Sequence, residues 1–266
     1  MLSLRGVSYR YPGAGHETLH AVDLELHPGT VTGLAGAAEA GKSTLCLVAG
    51  GLAPRVVGGR VNGEITIDGE DISGWPMHRL AERVVTGLQD PGGQLSLIAE
   101  TVLGEVAFGP ANLGLPRDEV VDRSVEALRT VGIEGLRDHD PTRLSGGEQQ
   151  LVVIAGLLAM RPHYLVLDEP IAHLDATGAR LVLDAVRAAA TAGAAVLLAE
   201  QRALAWSACD VVAVLGHGNI VAAGAPNEVL ARPGITALGI EEPAELRLRR
   251  RLVEAGLDTD LAESAL

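Results

Sequence analysis

Lysine is almost missing from this chain: Lys42 stands alone among 21 basic residues. Aromatics are nearly as scarce, with one Phe, three Tyr and two Trp in 266 residues. A core must therefore be built from Ala, Val, Leu and Ile, which suits a sheet layered with helices. The two cysteines, Cys46 and Cys209, both sit in apolar segments and offer no disulfide framework. Long apolar runs are missing too. The longest, Leu151 to Met160, falls well short of the ~18 residues that a membrane-crossing helix needs, so any membrane role is expected to be peripheral. Positive charge is in deficit: the net charge is −13 at pH 7, which repels phosphate backbones and argues against nucleic acid as a partner. The N-terminus opens directly on the strand-like Leu2-Ser3-Leu4-Arg5-Gly6-Val7 with no visible signal peptide, and a cytoplasmic location is expected.

The length fits one large α/β domain or two small ones. Alternating segments near 2–9 and 20–26, with 64–68, read as antiparallel strands bounded by Pro/Gly turns. From Val31 the character changes. Apolar β-type runs at 31–35, 83–88, 163–167, 194–199 and 210–215 alternate with helical stretches near 42–50, 176–190 and 202–207, the pattern of a parallel sheet with crossover helices. The stretch from about 90 to 160 breaks this rhythm with helices expected at 100–107, 117–131 and 146–160, and reads as a helical insertion. After Pro233 the composition turns charged, and a helical C-terminal extension is expected over 233–266, following a main domain over 1–232.

Gly36-Ala37-Ala38-Glu39-Ala40-Gly41-Lys42-Ser43, followed by Thr44, fits the phosphate-loop pattern G-x-x-x-x-G-K-[ST]. A β-run ends at Ala35 and a helical pattern begins at Lys42, so the loop would deliver backbone N–H groups and a helix N-terminus to a phosphate chain. In that pattern Lys42 pairs with the β- and γ-phosphates and Ser43 ligates Mg²⁺. Tyr164-Leu165-Val166-Leu167-Asp168-Glu169 is an apolar strand ending in two carboxylates. Asp168 would hold Mg²⁺ through its water shell, and Glu169 would polarise the attacking water as general base. Leu144-Ser145-Gly146-Gly147-Glu148 reads first as a capping box opening the helix 146–160. The same capped N-terminus also offers backbone donors to an incoming anion.

Together these segments resemble the Walker A, LSGGE and Walker B motifs of the nucleotide-binding subunits of ABC transporters, over roughly residues 2–232. The resemblance implies an ABC ATPase fold of the P-loop NTPase class: an α/β core with a parallel sheet, an N-terminal antiparallel β subdomain and a helical insertion. It implies ATP and Mg²⁺ as cofactors, and a head-to-tail dimer in which each ATP lies between one chain's Walker motifs and the Ser145-Gly146-Gly147-Glu148 segment of the other. Tyr11 resembles the aromatic that stacks on adenine, Gln89 the glutamine that senses Mg²⁺ and the membrane subunit, and Asp175 the D-loop aspartate that crosses the dimer interface. Asp175 also reads as an N-cap for helix 176–190. Gln89-Asp90-Pro91-Gly92-Gly93-Gln94 and Glu105 to Pro116 are similar to segments of the ATPases of energy-coupling-factor (ECF) and cobalt-type importers. The stretch from Gln89 to Pro116 reads as a Pro- and Gly-punctuated groove beside the ATP switch, a socket for a coupling helix. The expected partners are a second ATPase subunit, a transmembrane subunit and a substrate-binding membrane subunit, at the cytoplasmic face of the membrane, with a vitamin or transition-metal ion as solute.

Three residues depart from the family pattern. Glu39 stands where the loop usually has Gly, Leu151 replaces an Arg on the signature helix, and Gln201 replaces the histidine expected after Val196-Leu197-Leu198. The last change leaves two alternatives to a fully active importer ATPase. One is a poorly hydrolysing subunit of a heterodimer. The other is a soluble ABC ATPase outside transport, against which the lack of coiled-coil insertions and basic linkers counts.

Overall fold

Alternating side chains along the first segments point every second residue to one face, and that face is buried. In the computed structural model, which describes residues 1–254, Leu2–Arg10 (β1) and Leu19–Leu26 (β2) pair antiparallel, Leu2 opposite Leu26 and Leu4 opposite Leu24. Val31–Ala35 (β3) is buried throughout and leads through the glycine-rich loop into Lys42–Ala49 (α1). Arg60–Ile67 (β4) then returns to the free edge of β1, with the short Glu70–Asp71 (β5) beside it, giving a four-stranded sheet ordered β2-β1-β4-β5.

Met77–Ala81 (α2) precedes Val84–Gly87 (β6), an edge strand of a second sheet. Val102–Asn112 (α3), Arg117–Thr130 (α4) and Gly146–Ala159 (α5) follow and pack against one another. Tyr164–Asp168 (β7), Ala176–Thr191 (α6), Ala195–Glu200 (β8) and Val211–Gly216 (β9) resume the α/β alternation. The last described elements are Asn219–Gly224 (β10), Pro226–Leu230 (α7) and Ala244–Glu254 (α8). The second sheet has the order β10-β9-β3-β8-β7-β6, parallel except for β10. Strands β3, β7 and β8 are buried on both faces, which is why they read as continuous apolar runs without alternation.

This sheet divides the hydrophobic interior in two. Leu165, Leu167, Val196 and Leu198 face α5 and α6, whereas Tyr164, Val166 and Leu197 face α1 and the antiparallel sheet. The parallel sheet, the N-terminal antiparallel sheet and the helical insertion expected from the sequence are present, and the details differ in several places. The helix expected over 100–107 continues to Asn112, with Pro110 in its last turn, where the missing N–H deprives only the Val106 carbonyl. The stretch from Gln89 to Pro116, expected as a Pro- and Gly-punctuated groove, is therefore helix over Val102–Asn112 and irregular on either side. The stretch at 202–207 is a 3-10 turn, Ala203–Ala208, because i→i+3 bonds such as Ala205 N–H to Arg202 O fit the short passage from β8 to β9. Strand β10, short and half exposed, has no counterpart in the sequence reading.

Residues 235–241 fold back toward the phosphate loop. Ile235 and Ile240 are buried, a Cβ on Gly239 would lie 2.9 Å from that of Ala37, and Glu241 accepts a hydrogen bond from the Ala203 N–H at 2.8 Å. Of the extension expected over 233–266, residues 255–266 lie outside the described part. Among the described residues no helix is long and apolar enough to cross a membrane.

Candidate functional site

Parallel strands bring their C-terminal ends to one edge of a sheet, and ligands of open α/β sheets bind there. β3, β6, β7 and β8 end on that edge at Ala35, Gly87, Asp168 and Glu200, and the loops that follow converge on a cleft of about 330 Å³. Gly36 opens the first loop at a point where a Cβ would sit 2.6 Å from the Leu215 carbonyl oxygen. Gly41 closes it as the N-cap of α1 at φ 104°, without a side-chain cap, so the first N–H groups of the helix are left for an anion.

Lys42 is only 4% exposed and holds the loop from inside: Nζ donates to the carbonyls of Gly36 at 3.1 Å and Ala37 at 3.0 Å. It also lies 3.6 Å from Glu169 Oε1. Glu39, where glycine is usual, takes the left-handed backbone that glycine favours, φ 63°, with its side chain at the exposed rim. Ala38, Glu39, Gly41, Ser43 and Thr44 line the cleft with Lys42, and Ala40 is buried beneath it.

Across from the loop stands Glu169, itself at a left-handed φ of 49°. Both carboxylate oxygens accept amide hydrogen bonds, Oε2 from Gln89 Nε2 at 3.0 Å and Oε1 from Gln201 Nε2 at 2.6 Å. Three residues expected to act together, far apart in the chain, thus meet around one carboxylate. Gln94 supports Gln89 by closing the turn between them: its Oε1 accepts from the Leu88 N–H, and its Nε2 donates to the carbonyls of Leu88 and Asp90.

Asp168 lies behind Ser43, and its Oδ1 is buried without a hydrogen-bond partner. Burial is the main cause that raises its pKa; the Ser43 hydroxyl opposes the shift, Glu169 adds to it and Lys42 opposes it. A partnerless buried carboxylate oxygen next to a hydroxyl is what a hydrated divalent cation would satisfy. Among the described residues no three His, Cys, Asp or Glu side chains cluster to hold a metal by themselves, so such an ion must bring oxygen ligands with it, as a phosphate-bound Mg²⁺ does.

Other expected residues lie outside the cleft. Tyr11 stands at its side, its hydroxyl 3.0 Å from Thr44 Oγ1 and its ring edge-to-face with buried Tyr9 at 4.8 Å. Ser145 and Glu148 form the capping box: Ser145 Oγ accepts from the Glu148 N–H, and Glu148 accepts from the Ser145 N–H at 2.8 Å. Hydrogen bonding by Ser145 lowers the pKa of Glu148. Gly147 lies against Leu174, whereas a Cβ at Gly146 would meet nothing. Asp175 caps α6 by accepting from the Gly178 N–H at 2.7 Å.

The cleft also contains Thr18, which carries no motif. Glu200 and Arg202 flank Gln201 and brace the loops behind it; the only sequence signal for them is an acidic residue ending an apolar strand, as at Asp168. A larger cavity of about 420 Å³ lies between α4, α5 and α6, lined largely by alanines, and its arginines are already paired, Arg123 with Glu119 and Arg161 with Glu126.

The family described as "ABC transporter" matches residues 19–172. A putative ABC transporter ATP-binding protein of Methanosarcina mazei is 35% identical over 256 residues, 95% of this chain and 43% of the relative. The energy-coupling factor transporter ATP-binding protein EcfA of Methanothermobacter thermautotrophicus is 36% identical over 265 residues, 98% of this chain and 83% of that protein. The solved structure of cbiO1 from Clostridium perfringens, part of the ABC transporter complex cbiONQ, matches with a TM-score of 0.77 at 30% identity over 96% of each chain. Several curated relatives are longer, and this chain spans 43%, 41% and 46% of three of them.

Proposed function

The chain belongs to the ABC transporter ATP-binding family, and from that premise we propose that it is the ATP-binding subunit of an ECF-like importer, coupling ATP binding and hydrolysis to uptake of a vitamin or transition-metal ion. The observation that carries this reading is the convergence of Lys42, Gln89 and Gln201 on Glu169 at the mouth of the phosphate loop. Lys42 and the first N–H groups of α1 bind the phosphates, and Tyr11 takes the base. A bound Mg²⁺ supplies neutralising charge on the phosphate oxygens, with Ser43 and Gln89 to hold it and Asp168 behind them. Glu169 accepts the proton of the attacking water at a carboxylate oxygen, and the Gln201 amide orients that carboxylate.

The Ser145-Gly146-Gly147-Glu148 turn and Asp175 lie apart from their own chain's cleft, which supports their serving a nucleotide held by a second ATPase subunit. A membrane partner is supported by exposed apolar side chains on the segment that follows the Gln89 turn and on α3. Glu105, buried in α3, accepts from the N–H groups of Ser96 and Leu97 and so holds the segment that carries Leu97 and Ile98, 53% and 76% exposed, against the helix that carries Phe108, 43% exposed. Phe108→Asp is expected to leave the isolated chain folded, within about 0.5 kcal/mol as for other surface changes, and to abolish co-purification with its transmembrane partner from detergent-solubilised membranes. A normal yield of complex argues against this surface, and a chain that purifies with no membrane protein at all argues for an ABC ATPase outside transport.

Gln201 favours a second reading at the same cleft, a weakly hydrolysing member of an asymmetric pair. An amide donates a hydrogen bond but neither becomes cationic nor moves a proton near neutral pH. The partner then retains the histidine and carries most of the turnover at its own Walker motifs. Calorimetry and steady-state hydrolysis by the purified chain test both: tight binding of Mg-ATP with slow turnover supports the asymmetric pair, brisk homodimeric turnover removes it, and absence of binding removes both.

A further inference from the structure

β8 ends on a carboxylate to which the proposed reaction gives no part. Glu200 is 1% exposed and stands in register with Ala35, the last residue of the strand that feeds the phosphate loop. A buried carboxylate is costly unless hydrogen-bonded, and among the described residues this one is bonded by main-chain N–H groups. Oε1 accepts from the N–H of Ile171 at 3.1 Å; Oε2 accepts from those of Gln201 at 3.0 Å and Arg202 at 3.5 Å. One oxygen therefore reaches the loop that begins with Glu169, and the other reaches the loop that carries Gln201. Arg202 ties the same loops in the opposite sense: Nη1 donates to the carbonyls of Ile171 at 2.8 Å and Leu174 at 3.2 Å. Both polar backbone groups of Ile171 are thus gripped from the Gln201 loop, directly behind the 2.6 Å contact between Gln201 and Glu169.

We propose that Glu200 is a positioning residue for hydrolysis: its two oxygens fix the loop after β7 to the loop after β8, and Arg202 extends the tie to Leu174 and the Asp175 turn, so that displacement of that turn changes the separation of Glu169 and Gln201. This rests on hydrolysis taking place at the Glu169 cleft. Glutamate suits the role because it offers acceptors on both oxygens and the reach to Ile171; glutamine of the same length turns an N–H₂ group toward one of the N–H donors.

The test uses the full chain, labelled with ¹⁵N, with the Gln201 side-chain amide resonance assigned by its loss in Gln201→Ala. In Glu200→Gln that resonance is expected to move toward the position of free glutamine. Affinity for Mg-ATP stays within about threefold while kcat falls at least about tenfold, as expected when a reacting group is misplaced and ground-state binding is kept. In a Gln201→Ala background Glu200→Gln should cause no further loss, because coupled sites are not additive. Arg202→Gln, at a partly exposed position, is expected to shift the Gln201 resonance in the same direction, and it carries the test if Glu200→Gln does not fold. An unmoved Gln201 resonance, or losses in kcat that multiply in the double variant, overturn the proposal. If the wild-type chain neither binds nor hydrolyses ATP, the functional reading fails instead, and the resonance still decides whether Glu200 places Gln201.

Discussion

The cleft around Glu169 and the turn at Ser145 are both glycine-rich loops at an element's end, yet they are built in opposite ways. In the cleft, two charged side chains and two amides from four segments of the chain satisfy one another: Lys42 is buried on its own loop carbonyls, and Glu169 is held by the amides of Gln89 and Gln201. At the turn, among the described residues, the side chains of Ser145 and Glu148 bond only to each other and to their own backbone. The first-turn N–H groups of Gly146 and Gly147 have no intrahelical acceptor, and the space above Gly146 is open. One region draws its side chains together from distant parts of a single chain. The other is finished only as a helix end, and its remaining donors face outward.

The largest expected effect sharpens this contrast. Ser145→Arg places a bulky cation on the outward donors, and we expect turnover of the assembled ATPase to fall by about 100-fold, the order seen when preorganised donors are lost. Nucleotide affinity of the isolated chain, measured by calorimetry, should not change; a loss there would show the turn to be part of its own chain's cleft. Lys42→Ala should do the reverse, lowering Mg-ATP affinity of the isolated chain by at least about 10-fold, since charge-assisted bonds contribute ~1.5–3 kcal/mol. Unchanged binding would remove the phosphate assignment. Gln201→His is expected to raise steady-state hydrolysis by about 10-fold, below the ~10²–10⁴ of a complete acid–base group because Glu169 is already in place; indifference at this position would mean that the amide suffices. The smallest effect belongs to the turn as a helix end: Ser145→Ala should lower unfolding stability by about 1 kcal/mol in urea titration, the cost of a lost N-cap.

What could be read from the sequence follows the same division between local and distant interactions. The phosphate loop, the capping box and the N-cap at Asp175 are legible because their partners lie within a few residues of one another. The buried strands are legible from apolar runs bounded by turns. Pro110 argues against a helix locally, but near the C-terminus of α3 a proline forfeits a single bond, so the helix passes through it. β10 exists because it pairs with β9; its Ile220-Val221 pair, followed by Ala222-Ala223-Gly224, is too short an apolar run to mark a strand by itself. The parts played by Glu200 and Arg202 depend on backbone groups some thirty residues earlier in the chain, brought near only by the pairing of β7 with β8. No spacing rule reaches across such a pairing.

The division of the interior by the six-stranded sheet bears on how the molecule opens. Strands β7 and β8 give alternate side chains to both hydrophobic clusters, so they cannot be exposed unless both clusters melt, whereas α3 and α4 contribute to one alone. Amide protons of β7 and β8 should then exchange with solvent only through global unfolding, and those of α3 and α4 through smaller, earlier openings. Asp168 and Glu200 are the last residues of these two strands, and Phe108 lies on one of the helices expected to open sooner. The residues proposed for the chemistry thus rest on strands shared by both clusters, and Phe108, proposed to meet a partner, sits on a helix that serves one cluster alone and is expected to shift without unfolding the strands beneath the cleft.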